Sequence, residues 1–202
     1  MKLDVGCGPN KREGFIGVDQ FDMPGVDWVV DLSETVWVIK SEIEGLNHID
    51  GDAKNPVWSM LLDASVSEIH ASHFVEHLTA EQRVRFVNEA YRVLKPGGTV
   101  TIITPHWASN RAYGDFTHQW PPIAEMWYYY LKKEWRDANA PHNDIKWNPG
   151  GYSCNFDATW GYSYAPELAS RHPDHVQFAL ANYKEAAQDL YATLTKPKPP
   201  ED

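Results

Sequence analysis

The stretch Leu3-Asp4-Val5-Gly6-Cys7-Gly8-Pro9 decides the fold, because a short apolar run passes directly into a glycine-rich turn. A second run, Phe15-Ile16-Gly17-Val18-Asp19, ends in an acid. Both runs are typical of buried parallel strands. In a doubly wound sheet, ligands bind at the carboxyl ends of the strands, where a glycine turn allows close approach to the backbone. Asp19 can accept hydrogen bonds from both ribose hydroxyls, so these runs predict a nucleoside site.

The following residues alternate between strand and helix patterns. Residues 27–32, 68–72 and 99–104 are expected to be strands, and residues 34–44 a helix. Thr79-Ala80-Glu81-Gln82 has the capping-box pattern that opens a helix, and Lys95-Pro96-Gly97-Gly98 ends it. This alternation predicts an α/β fold with a doubly wound, mainly parallel sheet and helices on both faces.

The second half of the chain is rich in aromatic residues and forms a C-terminal extension. One helix is expected near residues 124–137 and a last one over residues 174–194, where apolar residues recur at intervals of four and three. Residues 148–164 form either a lid or aromatic wall for a substrate, or an extra strand pair with its core. The Pro-rich tail, residues 196–202, is expected to fray.

Length and composition limit the classes of protein to consider. The 202 residues fit a single domain, divided into a ligand-binding core (1–104), the extension (105–195) and the tail (196–202). The net charge of −10 argues against nucleic acid as a partner, because such binding neutralises many phosphates with Lys and Arg. The chain lacks an apolar run of 18 residues and a signal-peptide pattern, so we expect a cytoplasmic protein without a membrane partner.

The glycine turn has other interpretations. Taken alone, it is simply a tight connection after a strand. A dinucleotide fingerprint requires a third glycine at position 11, which is Lys11, and the spacing from Gly6 to Asp19 is short for that class. A phosphate-binding P-loop would end in Gly-Lys-Ser/Thr, which the turn lacks.

Four motifs in order across residues 3–104 carry a family resemblance. Residues 4–10 (Asp-Val-Gly-Cys-Gly-Pro-Asn) and 15–19 are followed by residues 71–78 (Ala-Ser-His-Phe-Val-Glu-His-Leu) and 92–98 (Arg-Val-Leu-Lys-Pro-Gly-Gly). Together they resemble class I S-adenosylmethionine-dependent methyltransferases of the type 11 kind, and within it an uncharacterised Gly-Cys-Gly-Pro-Asn subgroup. The resemblance implies a Rossmann-like fold and S-adenosyl-L-methionine as the cofactor.

The resemblance also implies which residues bind that cofactor. The amino-acid end would meet the first turn, Asp19 would hold the ribose, and His73 would border the methionine part. The turn residues concerned are Asp4, Gly6, Cys7 and Gly8.

The residue that reads the adenine amino group remains open. The family places an Asp before a small or apolar residue, and both Asp31-Leu32 and Asp52-Ala53 fit. Asp52 is slightly favoured because Gly51-Asp52-Ala53 is the more common form of this motif in the family.

Catalytic candidates follow the fifth strand. Methyl transfer needs a general base only when the acceptor must lose a proton. His106 and His118, with Asp115 as the orienting acid, are the candidates for that base. Glu76 and His77 are better explained as helix-start residues with a cap or a buried hydrogen bond. A metal site made from His73, His77, His106, Asp115 and His118 is conceivable, but methyl transfer does not require a metal and we expect none.

Three functions compete at this stage. The preferred one is methyl transfer to an O or N atom of a small-molecule or saccharide acceptor. The second is methylation of a protein or nucleic acid, although residues 72–75 read Ser-His-Phe-Val where nucleic-acid amino methyltransferases have Asn/Asp-Pro-Pro-Tyr/Phe. The third is a non-catalytic S-adenosylmethionine-binding protein, since fold does not fix function.

Overall fold

A computed structural model of the chain describes residues 1–29, 38–40 and 58–200. Seven strands form one open sheet in the order β3-β2-β1-β6-β7-β9-β8, and two short strands, β4 and β5, pair separately. The strands are β1 (Lys2–Val5), β2 (Ile16–Asp19), β3 (Trp28–Val29), β4 (Val38–Lys40), β5 (Trp58–Met60), β6 (Val66–Ser72), β7 (Leu94–Pro105), β8 (Asp157–Tyr164) and β9 (Ala187–Thr195).

Four of the five described helices lie in the second half of the chain. They are α1 (Ala80–Val93), α2 (Arg111–Gly114), α3 (Glu125–Tyr130), α4 (Lys133–Asn139) and α5 (Pro173–Asn182), with 3-10 turns at Val75–His77 and Pro141–Asn143. None of the helices in the described residues is long and apolar enough to cross a membrane.

The parallel part of the sheet confirms the predicted fold class. β1 pairs in parallel with β2 and β6, β6 with β7, and β2 with β3. The register sets Val5 beside Val18 and Ala71, and all three side chains are buried. The carboxyl ends of β2, β1 and β6 therefore meet at one edge of the sheet, which is where a doubly wound fold binds its ligand.

The predicted start of α1 is confirmed by its cap. The Thr79 side chain accepts a hydrogen bond from the Gln82 N–H, and the Gln82 side chain accepts one from the Thr79 N–H. The helix then buries Phe86, Val87 and Ala90 in the core. Residues 6–15 join β1 to β2 without a helix.

The sequence prediction for the C-terminal part is wrong in its second half. The helix expected over residues 174–194 ends at Asn182, and Ala187–Thr195 is a strand that pairs antiparallel with β7 and β8. Leu190, Ala192 and Leu194 are buried while Tyr191 lies exposed, so the period is two.

Two further helix predictions also need correction. The helix near residues 124–137 is two helices, α3 and α4, and the predicted helix over residues 34–44 contains β4. Of the two interpretations of residues 148–164, the extra strand pair is the one that the structure shows, because β8 joins the sheet next to β9. Its Trp160 stacks on the buried Tyr128, with ring centroids 5.8 Å apart.

Candidate functional site

A cavity of about 680 Å³ lies at the carboxyl ends of β1, β2 and β6. One side of it is made by the residues that end the first two strands, and the other by the segment after β6 together with Phe116, Thr117 and Gln119. The lining residues are Gly6, Val18, Asp19, Gln20, Phe21, Met23, His73, Phe74, His77, Leu78, Gln82, Phe116, Thr117 and Gln119. Its size is that of a site for a small organic ligand.

Gly6 and Gly8 form the turn after β1, and Gly6 lines the cavity. Both have positive φ, 64° and 51°, a region that L side chains rarely adopt. A Cβ on Gly6 would lie 2.5 Å from Cδ2 of Phe74, whereas a Cβ on Gly8 would meet nothing within 4 Å. Gly6 is therefore required for packing, and Gly8 leaves open space beside the backbone.

Asp19 ends β2 with its carboxylate held by the backbone. Oδ2 accepts a hydrogen bond from the Gly8 N–H at 3.0 Å, and Oδ1 accepts one from the Phe21 N–H at 3.0 Å. A carboxylate has about four acceptor positions, so each oxygen keeps one for a ligand. The two strand ends are thereby joined, and the acid is fixed in orientation at the cavity wall.

Asp4 and Cys7 support the turn from behind and do not line the cavity. Asp4 is buried; its Oδ2 accepts a hydrogen bond from the Arg12 N–H at 2.7 Å, and its Oδ1 lies 2.9 Å from Nδ1 of His70. Burial, together with the negative charges of Asp4 and Asp19, raises the pKa of the Cys7 thiol to about 11. Cys7 therefore stays a neutral thiol at physiological pH.

The wall after β6 carries two histidines and a buried acid. His73 has φ of 52° and lines the cavity, and its Nδ1 lies 3.2 Å from Oε1 of Glu76. That hydrogen bond to the Glu76 carboxylate raises the pKa of His73. The Glu76 side chain is only 6% exposed, and its other oxygen, Oε2, has no hydrogen-bond partner among the described residues.

The segment after β7 reaches this wall through a polar chain. Oγ1 of Thr117 donates to Oδ1 of Asp115 at 2.6 Å and lies 2.9 Å from Nδ1 of His77. The rings of His77 and His118 meet edge to face, with centroids 4.8 Å apart. Thr117 thus links Asp115 to His77 by hydrogen bonds. Nδ1 of His118 lies 3.3 Å from the carbonyl oxygen of Ala112.

His106 occupies a different environment from His118. It is 1% exposed whereas His118 is partly buried, and neither histidine lines the cavity. Its Nε2 lies 3.0 Å from Oε1 of Glu125, and its Nδ1 accepts a hydrogen bond from the Ala108 N–H at 3.3 Å. Both ring nitrogens of His106 are therefore engaged. Glu125 also accepts a hydrogen bond from the Tyr162 hydroxyl, which extends this network.

The structure brings together only part of the residue set predicted from the sequence. Gly6, Asp19 and His73 line the cavity, and Gly8 contacts Asp19. Asp31, Asp52 and Ala53 lie outside the described residues.

Sequence reasoning missed Phe21, Thr117 and Gln119 as cavity residues. The pattern Asp115-x-Thr117 is typical of a turn in which the acid caps the backbone, and that was the available signal for Thr117.

Comparisons with known proteins agree with this architecture. Residues 3–102 match the model of a family described as "Methyltransferase domain". A SAM dependent methyltransferase from Archaeoglobus fulgidus is 21% identical, with a TM-score of 0.53 over 96% of this chain and 85% of that chain.

A second solved structure is less similar. The 1,6-didemethyltoxoflavin-N1-methyltransferase from Burkholderia thailandensis, with bound 1,6-didemethyltoxoflavin and S-adenosylhomocysteine, is 13% identical, with a TM-score of 0.49 over 98% of this chain and 71% of that chain. None of the curated proteins compared with the chain matches it.

Proposed function

The chain belongs to the class I S-adenosylmethionine-dependent methyltransferases, and from this premise we propose that it methylates an oxygen or nitrogen atom of a small-molecule acceptor such as a saccharide. The observation that carries the proposal is a single cavity with two different sides. Gly6 and Asp19 provide a side suited to a nucleoside, and Phe116, Thr117 and Gln119 provide a polar and aromatic side suited to an acceptor.

The residues present fit S-adenosylmethionine. The open space beside Gly8 admits a ligand close to the backbone, and Asp19 keeps two acceptor positions for the hydroxyls of a ribose. Phe21 is 62% exposed and lines the cavity next to Asp19, so it offers an apolar face to the adenine. His73 borders the methionine part, and either Asp31 or Asp52 reads the adenine amino group.

The cofactor supplies a methyl group on a positively charged sulfur, and the protein must align an acceptor with it. Proximity and alignment account for a large part of such accelerations. Phe116, which is 97% exposed and lines the cavity, provides an aromatic face for the acceptor, and the net charge of −10 disfavours polyanionic acceptors.

His118 is the proposed histidine on the acceptor side, in preference to His106. Nε2 of His118 is not used by a hydrogen bond among the described residues, and its ring contacts the cavity residue His77. His106 is proposed to stabilise the sheet edge through Glu125, because both of its nitrogens are already engaged. Asp115 is proposed to orient the histidine pair through Thr117.

Turnover and cofactor binding should therefore respond differently to substitution of the two histidines. We expect His118→Gln to lower turnover by at least about a hundredfold, the low end for loss of a group that handles the acceptor proton, with unchanged affinity for S-adenosylhomocysteine. His106→Gln should mainly lower the melting temperature. Near-normal turnover in His118→Gln would remove this histidine from the reaction.

The function itself is tested in two steps. Calorimetry with S-adenosylmethionine and S-adenosylhomocysteine measures cofactor binding, and release of S-adenosylhomocysteine then reports transfer to sets of saccharides, hydroxy metabolites and amines. Parallel arms contain protein and RNA. Turnover confined to those parallel arms would favour the macromolecular alternative, and binding without turnover in every arm would favour a non-catalytic binding protein.

A further inference from the structure

Glu76, His77 and His118 bring three electron-pair donors together at the edge of the cavity. One ligand atom from each residue lies within 4.8 Å of the others. We propose that these three side chains bind one divalent transition-metal ion of the zinc type, on the acceptor side of the cavity. Among the described residues this is the set of three that meets such spacing.

The hydrogen-bond partners of the two imidazoles leave Nε2 of each ring available for a metal ion. Nδ1 of His118 faces the carbonyl oxygen of Ala112, so it must carry the hydrogen, and Nε2 of the neutral ring holds the lone pair. The hydrogen of Thr117 Oγ1 is directed to Asp115, so Nδ1 of His77 must donate to that oxygen. Metal-binding histidines in proteins characteristically donate their other N–H to a carbonyl or to a carboxylate-linked group in this way.

Glu76 is the independent observation that points to a ligand. A carboxylate that is only 6% exposed normally has both oxygens paired, because burying an unpaired charge is costly. Oε1 lies 3.2 Å from Nδ1 of His73, but Oε2 has no partner among the described residues. A cation bound by Oε2 and by one nitrogen of each histidine would satisfy this oxygen.

A buried arginine holds the two halves of the cluster in place. Arg83 donates from Nε and Nη2 to the carbonyls of Val75 and Glu76, at 3.1 and 3.4 Å. The same guanidinium donates to the carbonyls of Gln119, at 2.9 Å, and Pro121. The segment carrying Glu76 and His77 is thereby tied to the segment that follows His118.

The ligand set of two imidazoles and one carboxylate is that of catalytic zinc sites, which keep a further position open. Around a tetrahedral ion with bonds of about 2.0 to 2.2 Å, ligand atoms lie about 3.4 Å apart, so the side chains must close in slightly. Because His77 also lines the cavity, the open position is accessible to an acceptor.

This part of the inference rests on the proposed function: an acceptor hydroxyl is the natural fourth ligand, since a bound cation makes a hydroxyl more acidic. With the ion bound, Nε2 of His118 is a ligand, so His118 acts on the acceptor proton through the metal, and the hydroxyl releases that proton to solvent. The expectation from the sequence that no metal is bound is replaced by this proposal.

The test measures metal binding directly and uses the full chain after treatment with a chelator. Zn²⁺ is titrated by calorimetry and Co²⁺ by its visible absorption, which reports imidazole and carboxylate ligation. The variants are Glu76→Gln and His118→Gln, which preserve size, and the control is His175→Gln, an exposed histidine on α5. His118 is only partly buried, so its variant remains informative even if Glu76→Gln impairs folding, as checked by circular dichroism.

We expect one ion per chain in the wild type and in His175→Gln. The affinity for Zn²⁺ should fall at least about a hundredfold in the other two variants, since loss of an outer partner alone typically costs 10- to 100-fold. A wild type without stoichiometric Zn²⁺ or Co²⁺, or equal affinity in all three variants, would overturn the site. S-adenosylhomocysteine is titrated in parallel. If the protein binds S-adenosylhomocysteine but no metal, the metal site is refuted and the methyltransferase proposal stands. If it binds metal but not S-adenosylhomocysteine, the metal site stands and the proposed function fails.

Discussion

Replacement of Asp19 by alanine tests the nucleoside site most directly. Asp19 retains one acceptor position on each oxygen after its bonds to the Gly8 and Phe21 N–H groups. A hydrogen bond to a charged partner contributes about 1.5 to 3 kcal/mol. Asp19→Ala should therefore weaken S-adenosylhomocysteine binding by about 10- to 150-fold. The fold should survive, because the two freed N–H groups lie where water can reach them.

Calorimetry with two ligands separates ribose contact from damage to the turn. The second ligand is an S-adenosylhomocysteine analogue without ribose hydroxyls. The wild type should bind the analogue more weakly than the parent, and Asp19→Ala should bind the two almost alike, as in a double-mutant cycle. Asp22→Ala, an exposed acid three positions later, is the matched control and should behave as wild type.

Two results would refute the reasoning about Asp19. One is wild-type affinity in a folded Asp19→Ala protein. The other is an unchanged preference for the parent ligand in that variant, which would mean that the carboxylate only shapes the turn.

Three further predictions concern the turn, the extension and the adenine site. Gly6→Ala should lower the free energy of unfolding, measured by urea denaturation, more than Gly8→Ala, because a Cβ on Gly6 alone meets a side chain at 2.5 Å; equal losses would contradict this. Burial raises the pKa of Glu125, but hydrogen bonds from an imidazole, its own backbone and a phenol outweigh it and hold that pKa at about 2, below the ordinary 4.5. The stability advantage of wild type over Glu125→Gln should thus be full above pH 4.5 and shrink as the pH falls towards 2, and a constant advantage in thermal unfolding from pH 7 to 3 would argue against it. Asp31→Asn and Asp52→Asn should differ clearly in S-adenosylhomocysteine affinity by calorimetry, and full affinity in both would show that neither reads the adenine.

The parallel half of the fold could be predicted because its signals are local. Apolar runs, a glycine turn and a capping box each act within a few residues, and β1, β2, β6 and α1 follow them. The C-terminal strand β9 could not be read in the same way. Leu190 and Leu194 are four apart, which fits one helix face as well as one strand face. The antiparallel partners β7 and β8 decide between them, and those contacts are remote in sequence.

The site shows the same division. The position of Asp19 at the cavity was predictable because this residue ends a strand. His118 was a candidate with Asp115 as its expected partner, and only the folded chain sets its ring against His77. Arg83 reads as an ordinary residue of an amphipathic helix, yet it is 3% exposed and contacts carbonyls from two separate segments. Long-range polar contacts of this kind leave no periodic signal in the sequence.

The carbonyl contacts of Arg83 also determine how a substrate can enter. A hinged lid made from residues 119–121 would have to leave the guanidinium buried with unpaired hydrogens, at a cost of about 3 to 5 kcal/mol. Arg83 therefore holds residues 119–121 in a fixed position at the edge of the cavity. Phe116 lines the same cavity and is 97% exposed, so its side chain can rotate without breaking the contacts of Arg83.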